Sequence, residues 1–247
     1  MKGKWGYVAA LALAAVLGAG LLRAATETPA PATTPAATPA ATPAATPAAG
    51  PAEVAKAALV KLPEPTLKGT MSVEEAIAKR RSIRSISDEA LTMEQVSQLL
   101  WAAQGITEKT RGLRAAPSAM AKYPLTVYAV MKDAAYKYVP AENAVEKVKE
   151  GDVRAQLSGQ RTVTTAPVTF VITGDYSKMG GRMANMAERW TDFEAGCASE
   201  NLFLQATSMG LATVTVGGMD AAKTAAALGC SPSETVIIIM PVGKPAK

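Results

Sequence analysis

A proline repeat limits which part of this 247-residue chain can fold into a domain. Pro35, Pro39, Pro43, Pro47 and Pro51 recur every fourth residue in a segment made mainly of alanine, threonine and proline. Proline at this frequency prevents helix formation, and the segment has no side chains large enough to build a core. We therefore expect residues 26–61 to form a disordered, semi-rigid linker, and residues 62–247 to form one domain of ordinary size.

The N-terminus has the pattern of an export signal. Lys2 and Lys4 precede an apolar run, Val8–Leu22, which is close to the roughly 20 residues that span a bilayer. Signal peptidase requires small residues one and three positions before the cut, and Leu22 or Arg23 occupies the third position at the nearest alanines. We expect residues 1–25 to be an uncleaved transmembrane anchor, with a cleaved signal as the alternative. The two lysines would keep the N-terminus in the cytoplasm and place the domain on the outer side of the cytoplasmic membrane, in the bacterial periplasm.

The chain contains no histidine. Serine or cysteine triads that depend on histidine are therefore excluded, as are ordinary metal sites with histidine ligands. Cys197 and Cys230 lack the spacing of a zinc or redox motif; they could be bridged, but free thiols are favoured. The net charge of +5 is modest and scattered, so a nucleic acid partner is not expected. If the protein is an enzyme, a bound cofactor should supply the chemistry.

Helices and strands alternate along the predicted domain. Ser72 with Glu75, and Thr92 with Gln95, have the spacing of capping boxes, and Gly105 should end the second helix. Further helices are expected at Asp152–Gln160 and Phe193–Met209, and another beginning near Ala221; strands are expected at Leu125–Met131, Tyr136–Val139, Ala144–Val148, Pro167–Thr173, Leu211–Val216 and Thr235–Val242. Phe193–Met209 is apolar on most of its circumference, as buried helices are. The pattern predicts a sheet covered by helices.

A basic segment follows the first helix. Arg80, Arg81, Ser82 and Arg84 place three guanidinium groups and a hydroxyl within five residues. Arginine binds phosphate oxygens bidentately and serine adds a neutral donor, so the segment suits a phosphorylated cofactor. The alternative is that these arginines complement the helix dipole and face water.

Three more segments have features of ligand contacts. Small residues around Pro117, with Ser118 and Ala119, would let backbone amides approach a planar ligand. Val216-Gly217-Gly218 joins a strand to a helix and would leave its amides free, although paired glycines are also common in turns. Lys244 ends the last strand, a position where lysine is most often solvated.

The order of these segments resembles the nitroreductase-like family of FMN-dependent enzymes. The matching patterns are RRSIR, R-x-x-PSA-x-x-x-YP, the helix E-A-G-x-A-x-x-N-L, then VGG-x-D and PVGKP, which together span Ser72 to Pro245. The likeness is closest to the compact branch that includes the SagB-type azoline dehydrogenases. This chain departs from that branch where a Lys-Tyr pair is common, since it has Arg182-Met183, and where histidine is common, since it has Cys197.

The resemblance implies an α+β nitroreductase-like fold with a central mixed sheet flanked by helices, and a homodimer with FMN at the subunit interface. It assigns Arg80, Ser82 and Arg84, with Arg81 beside them, to the FMN phosphate and ribityl chain. It places Pro117, Ser118 and Ala119 along the isoalloxazine of the partner subunit. Val216, Gly217 and Gly218 would lie near flavin N5, and Lys244 would add a basic group to the phosphate.

The implied activity is an FMN-dependent oxidoreductase in which the flavin, and no protein side chain, performs the chemistry. Flavin N5 would transfer a hydride to a nitro compound, a quinone or a similar small acceptor. The donor would be NAD(P)H, or a membrane quinol because an exported domain meets little NAD(P)H. The alternative is a membrane-tethered flavin-binding or partner module without catalysis.

Overall fold

The computed structural model describes residues 58–246 of the chain. The predicted anchor at residues 1–25 and residues 26–57 of the predicted linker lie outside the described residues. Within residues 58–246, no helix combines the length and apolar character needed to cross a bilayer.

Short helices and strands alternate along the described chain, as the sequence predicts. In chain order they are β1 (Leu59–Lys61), α1 (Val73–Lys79), α2 (Met93–Gln104), β2 (Ile106–Glu108), β3 (Leu113–Arg114), β4 (Leu125–Met131), β5 (Ala134–Val139), β6 (Ala144–Glu150), α3 (Arg154–Leu157), α4 (Arg161–Thr165), β7 (Val168–Asp175), α5 (Ala187–Ser208), β8 (Ala212–Thr213), α6 (Ala221–Leu228) and β9 (Glu234–Gly243).

Seven of these strands form one sheet in the order β1-β6-β5-β4-β7-β9-β8, and β2 pairs separately with β3. The α+β class with a central sheet and flanking helices is confirmed. All six pairings between neighbouring strands of the sheet in the described chain are antiparallel, so the parallel pairing that a mixed sheet requires is not among them.

The sheet is buried on both faces at its centre. In β7, every residue from Val168 to Gly174 is buried, because Phe170 and Ile172 face one core while Val171 faces the other. The first core includes Leu99 of α2 and Leu202 of α5. The second includes side chains of α3, α4 and α6. Alternate side chains of one strand thus fix helices on opposite faces.

The capping signals predict where the first two helices begin. Ser72 accepts a hydrogen bond from the Glu75 amide, and Thr92 and Gln95 form the full reciprocal capping box. Strand β4 has the predicted bounds, and α5 begins six residues earlier than predicted, at Ala187 rather than Phe193.

Four other sequence expectations are corrected. The sheet begins with β1, which pairs with β6, so residues 59–61 belong to the folded domain rather than to the linker. The helix expected at Asp152–Gln160 is two short helices, because Ser158 adopts an extended conformation between them. The strand expected at Leu211–Val216 narrows to β8 and one bridge at Val216. Helix α5 is not buried all round, since Phe193 is 59% exposed.

Candidate functional site

The basic segment lies against the end of the sheet. Arg80 ends α1, and the chain then runs in extended form beside β8 and the C-terminal residues. The Ile83 amide donates to the Thr213 carbonyl at 2.9 Å, and the Ser87 amide donates to the Lys244 carbonyl at 2.9 Å. The structure therefore brings the basic segment, the end of β8 and Lys244 together at one edge.

The first two arginines of this segment already have partners within the subunit. The Arg80 guanidinium lies 5.1 Å from the centre of the Phe203 ring, and its Nε lies 3.7 Å from Glu200 Oε1. Arg81 Nη1 donates to the carbonyl oxygens of Ala78 and Arg80, at 3.2 and 2.6 Å. Arg80 is held in one orientation by these contacts, while Arg81 turns back onto the last turn of α1.

The other two cations differ in their availability. Lys244 Nζ forms an ion pair with Glu89. The Arg84 side chain is exposed, and its guanidinium forms no ion pair or hydrogen bond with residues 58–246. Arg84 is therefore free to bind an added anion.

Arg84 lines an open groove of about 660 Å³ between the basic segment and α4. Arg161 at the start of α4 also lines the groove, and its guanidinium has no acidic partner in the described chain. Ser87 Oγ is buried there and has no hydrogen-bond partner among residues 58–246, and Asp88 contributes one carboxylate. Two unpaired guanidinium groups and an unpartnered hydroxyl suit the oxygens of a phosphate ester.

The Val216–Gly218 turn exposes backbone amides further along the same side of β9, where Val216 pairs with Ile239. Val216 is buried and exchanges hydrogen bonds with Ile239 at 2.8 and 3.1 Å. Gly217 and Gly218 are exposed, and a Cβ added to either would meet no atom within 4 Å. Their amides donate to no group between residues 58 and 246. This backbone is therefore accessible to a ligand at the end of the β8 segment.

The segment around Ser118 is held by contacts with its own residues rather than with the basic segment. Ser118 Oγ accepts a hydrogen bond from the Tyr123 amide at 2.8 Å. Met120, Ala121 and Tyr123 have φ angles of 53°, 53° and 47°, which is the left-handed region that side chains with a Cβ rarely adopt. Such strain persists only where surrounding contacts enforce it. Among the described residues, no hydrogen bond or ion pair joins this segment to the basic segment.

A buried carboxyl group lies behind Ser118. Glu194 of α5 is 3% exposed, and neither of its carboxyl oxygens has a partner that meets hydrogen-bond geometry in the described chain. Burial raises the pKa of Glu194 to about 7, although the nearby Ser118 hydroxyl and the positive charges of Arg114 and Lys178 act to lower it. A carboxyl group with this pKa can exchange a proton near neutral pH.

Arg114 joins Glu194 to a wider polar cluster. Its Nη1 donates to Gln104 Oε1 at 2.9 Å, and its guanidinium lies 4.7 Å from the centre of the Tyr123 ring. Burial lowers the pKa of Arg114, and the charge of Glu194 acts to raise it. Gln104 Nε2 and Thr191 Oγ1 are also buried without partners in the described chain.

Sequence reasoning assigned no role to Glu194, Arg114 or Arg161. Glu194 and Arg114 were visible as letters of the E-A-G and R-x-x-PSA patterns. The helical spacing was a usable signal for Glu194, because it places Glu194 on the same face of α5 as Thr191, Ala198 and Leu202, and the structure buries that face. Arg161 had no signal, because only the fold places it opposite Arg84.

The Glu194 carboxyl should make stability depend on pH. Its pKa rises from the model-peptide value of 4.5 in the unfolded chain to about 7 in the folded state, so the folded state binds more protons between these values. The folded state therefore loses stability as pH rises from 4.5 to 7, by up to about 3 kcal/mol. Glu194→Gln should remove this loss, which denaturant unfolding at pH 4.5 and pH 8 measures.

The matched control is Glu188→Gln, which removes an exposed carboxylate from the same helix. Its difference from the wild type should stay nearly constant over that range. If the Glu194→Gln difference is equally constant, Glu194 does not hold a proton in the folded state.

Comparisons with known proteins agree with the geometry. The model of the Nitroreductase family matches residues 77–244. A relative from Methanocaldococcus jannaschii, described as a nitroreductase, is 30% identical over 184 residues, covering 70% of this chain and 91% of the relative. A crystal structure of a protein described as a nitroreductase, from Ralstonia eutropha JMP134, has a TM-score of 0.72 and 28% identity, covering 76% of this chain and 90% of that one.

A further solved structure, described as a nitroreductase in complex with FMN, comes from Desulfovibrio desulfuricans. It is 26% identical, with a TM-score of 0.53, and the match covers 71% of this chain and 87% of that chain. The family match spans more than half of the chain and includes the basic segment, the Ser118 segment, the Val216–Gly218 turn and Lys244. The chain belongs to the Nitroreductase family.

Proposed function

We propose that this protein is an FMN-dependent oxidoreductase that transfers two electrons to a nitro compound, a quinone or a similar small acceptor. Two observations support this most directly: the Arg84 guanidinium has no partner within residues 58–246 and belongs to the segment that pairs with the C-terminal residues, and the Gly217–Gly218 turn is exposed. The relative from Desulfovibrio desulfuricans, which was solved with FMN, supports the choice of cofactor.

The residues at this edge fit the chemical groups of FMN. A phosphate ester needs charge-assisted donors, which Arg80, Ser82, Arg84 and Lys244 supply. Arg80 is already oriented by Phe203, so little side-chain entropy is lost when it binds an anion. Arg81 lies beside them, and its contacts with the end of α1 stabilise the start of the segment.

The remaining proposed contacts concern the flavin ring. Val216, Gly217 and Gly218 would hold the ring edge through backbone amides, which need a close approach that glycine permits. Pro117, Ser118 and Ala119 would contact the ring bound in the partner subunit. When bound, FMN supplies hydride transfer at its N5, and the protein binds it, orients it and excludes water.

A homodimer is supported by apolar side chains that the single subunit leaves exposed. Leu67, Val73, Ile77 and Met93, near α1 and α2, are exposed by 78%, 65%, 58% and 39%. The sequence places Val73 and Ile77 on the apolar face of α1, but only Ala76 of that face is buried within the subunit. Exposed apolar surface of this kind is typical of interfaces. We propose that a second copy of the chain covers this surface.

For its surroundings, we propose that the N-terminal anchor holds the domain on the outer side of the cytoplasmic membrane. A membrane quinol would then be the more accessible donor, and NAD(P)H would serve if the domain lies in the cytoplasm. Small-molecule acceptors reach either compartment.

Arg84→Ala should weaken FMN binding about ten- to hundredfold. The loss of one charge-assisted hydrogen bond costs about 1.5 to 3 kcal/mol, and each 1.4 kcal/mol is tenfold in affinity. Riboflavin lacks the phosphate, so its affinity should change little. Titration of both flavins by fluorescence quenching measures the two effects.

The matched control is Arg111→Ala, which removes a surface arginine that pairs with Glu108 in the β2–β3 turn. It tests whether loss of one positive charge anywhere weakens FMN. Equal weakening of riboflavin and FMN by Arg84→Ala would exclude Arg84 as a phosphate ligand.

The topology can be tested with a reporter fused after Ala52. A reporter enzyme that folds only outside the cytoplasm should be active in this fusion, and a reporter that works only inside the cytoplasm should be inactive. The reason is that the two lysines retain the N-terminus in the cytoplasm, so the chain after the anchor lies outside. A reporter active only in the cytoplasm would overturn both the proposed location and the quinol donor.

A further inference from the structure

Within residues 58–246, the buried carboxyl group of Glu194 has no hydrogen-bond partner. The cost of burying a polar group without a hydrogen bond is about 1 to 3 kcal/mol, and it is larger for a charged group. Thr191 Oγ1, one turn before Glu194 on α5, and Gln104 Nε2 share this condition. Three unpartnered polar groups in one cluster are more than packing alone explains.

Ser118 connects this cluster to the surface. It is half-buried, its hydroxyl lies near enough to Glu194 to lower the pKa of that carboxyl group, and Pro117 and Met120 of the same segment are exposed. A hydroxyl has two acceptor positions and one donor. The Tyr123 amide occupies one acceptor position at 2.8 Å. A protonated Glu194 can occupy the other, which leaves the Ser118 O–H free to donate outward.

The charges around Glu194 allow it to gain and lose a proton. Arg114 from β3 and Lys178 from the turn after β7 favour its ionised form, while burial favours the neutral form. The Tyr123 ring lies against the Arg114 guanidinium. Tyr138 also faces Arg114, and burial raises the pKa of Tyr138 to about 12, so it is neutral near pH 7. The balance permits release of a proton to Ser118 and stabilises the carboxylate that remains.

We propose that Glu194 stores a proton and delivers it through the Ser118 hydroxyl to a bound acceptor. This inference rests on the proposed function, in which Ser118 lies at the flavin site.

Reduction of a quinone to a hydroquinone requires a hydride, which the reduced cofactor supplies, and one further proton on the second oxygen. The Glu194 O–H bond breaks as Ser118 Oγ accepts the proton, and the Ser118 O–H bond breaks as the quinone oxygen accepts the other. Glu194 becomes a carboxylate and later regains its proton from solvent. It acts through Ser118 and is therefore a positioning residue rather than a catalytic one.

The test compares two oxidants of the reduced holoenzyme. The flavin is reduced with dithionite without oxygen and then mixed with benzoquinone, which takes a hydride and a proton, or with ferricyanide, which takes electrons alone. In the wild type, the quinone rate should fall as pH rises through about 7, because the carboxyl loses its proton. Glu194→Gln should lower the ratio of quinone rate to ferricyanide rate about tenfold or more and remove this pH dependence.

Two further variants complete the comparison. Ser118→Ala should lower the same ratio, and it serves where Glu194→Gln fails to fold. Glu188→Gln, on the exposed face of the same helix, should leave the ratio unchanged. If neither Glu194→Gln nor Ser118→Ala changes the ratio while both oxidants react with the wild type, the relay is wrong and the proposed function stands.

A readout that needs no flavin separates the two proposals. The infrared band of a protonated carboxyl should be present in the wild type, disappear as pH rises through about 7, and be absent in Glu194→Gln. Ser118→Ala should move this titration to higher pH, because the hydroxyl lowers the pKa of Glu194. A wild type that reacts with neither oxidant contradicts the proposed function, and the infrared titration then decides the Glu194–Ser118 contact by itself. A band that does not titrate overturns the relay.

Discussion

The antiparallel pairing of β9 with β7 and β8 is the constraint on which the candidate site depends. Strand β9 is paired on both sides, and its last residue, Gly243, packs so closely that an added Cβ would lie 2.7 Å from Ile86 and Pro167. This contact holds the extended basic segment against the end of the sheet. A displacement of β9 would remove the pairing partners of both the basic segment and the Val216–Gly218 turn, because Ser87 bonds to Lys244 and Val216 bonds to Ile239.

Two glutamates with buried side chains have very different surroundings. Glu234, at the start of β9, accepts hydrogen bonds from Tyr128 and Thr173, both at 2.8 Å, and lies 4.0 Å from Lys137 Nζ. Burial raises the pKa of Tyr128, and the neighbouring Cys230 and Glu234 raise it further. Glu194 has no such set of donors in the described chain. Glu234 is therefore a structural residue of the sheet. Glu194 is as buried as a core residue, but its unpartnered carboxyl group can carry a proton, as we propose.

Local signals in the sequence predict much of the fold. Hydroxyl caps at Ser72 and Thr92 begin α1 and α2, because each satisfies a backbone donor that has no other partner. The limits of β4 follow from its β-branched and aromatic residues. The candidate phosphate segment stands out in the sequence, since three arginines and a serine within five residues are chemically distinctive, and its role in binding phosphate stays a prediction. Its proximity to Lys244 follows from the resemblance and agrees with the observed pairing.

Other features depend on contacts between distant residues, and local patterns do not contain them. The break between α3 and α4 depends on the extended conformation of Ser158, and β1 forms only because β6 offers an edge for pairing. Arg161 lines the groove because the fold places α4 there. Glu194 lacks hydrogen-bond partners because no donor of the described chain is positioned to bond to it. The left-handed residues after Ser118 are likewise enforced by Tyr123 and Arg114, not by glycine.

The visible spectrum of the purified protein with FMN tests the central claim most directly. We expect the protein to retain FMN after removal of free flavin, to lose its yellow colour when reduced without oxygen, and to regain it when a quinone is added. A protein that stays colourless after incubation with FMN would contradict the FMN-dependent function. Bound FMN that cannot be reduced by NAD(P)H or a quinol, or cannot be reoxidised by a quinone, would instead indicate the flavin-binding module without catalysis.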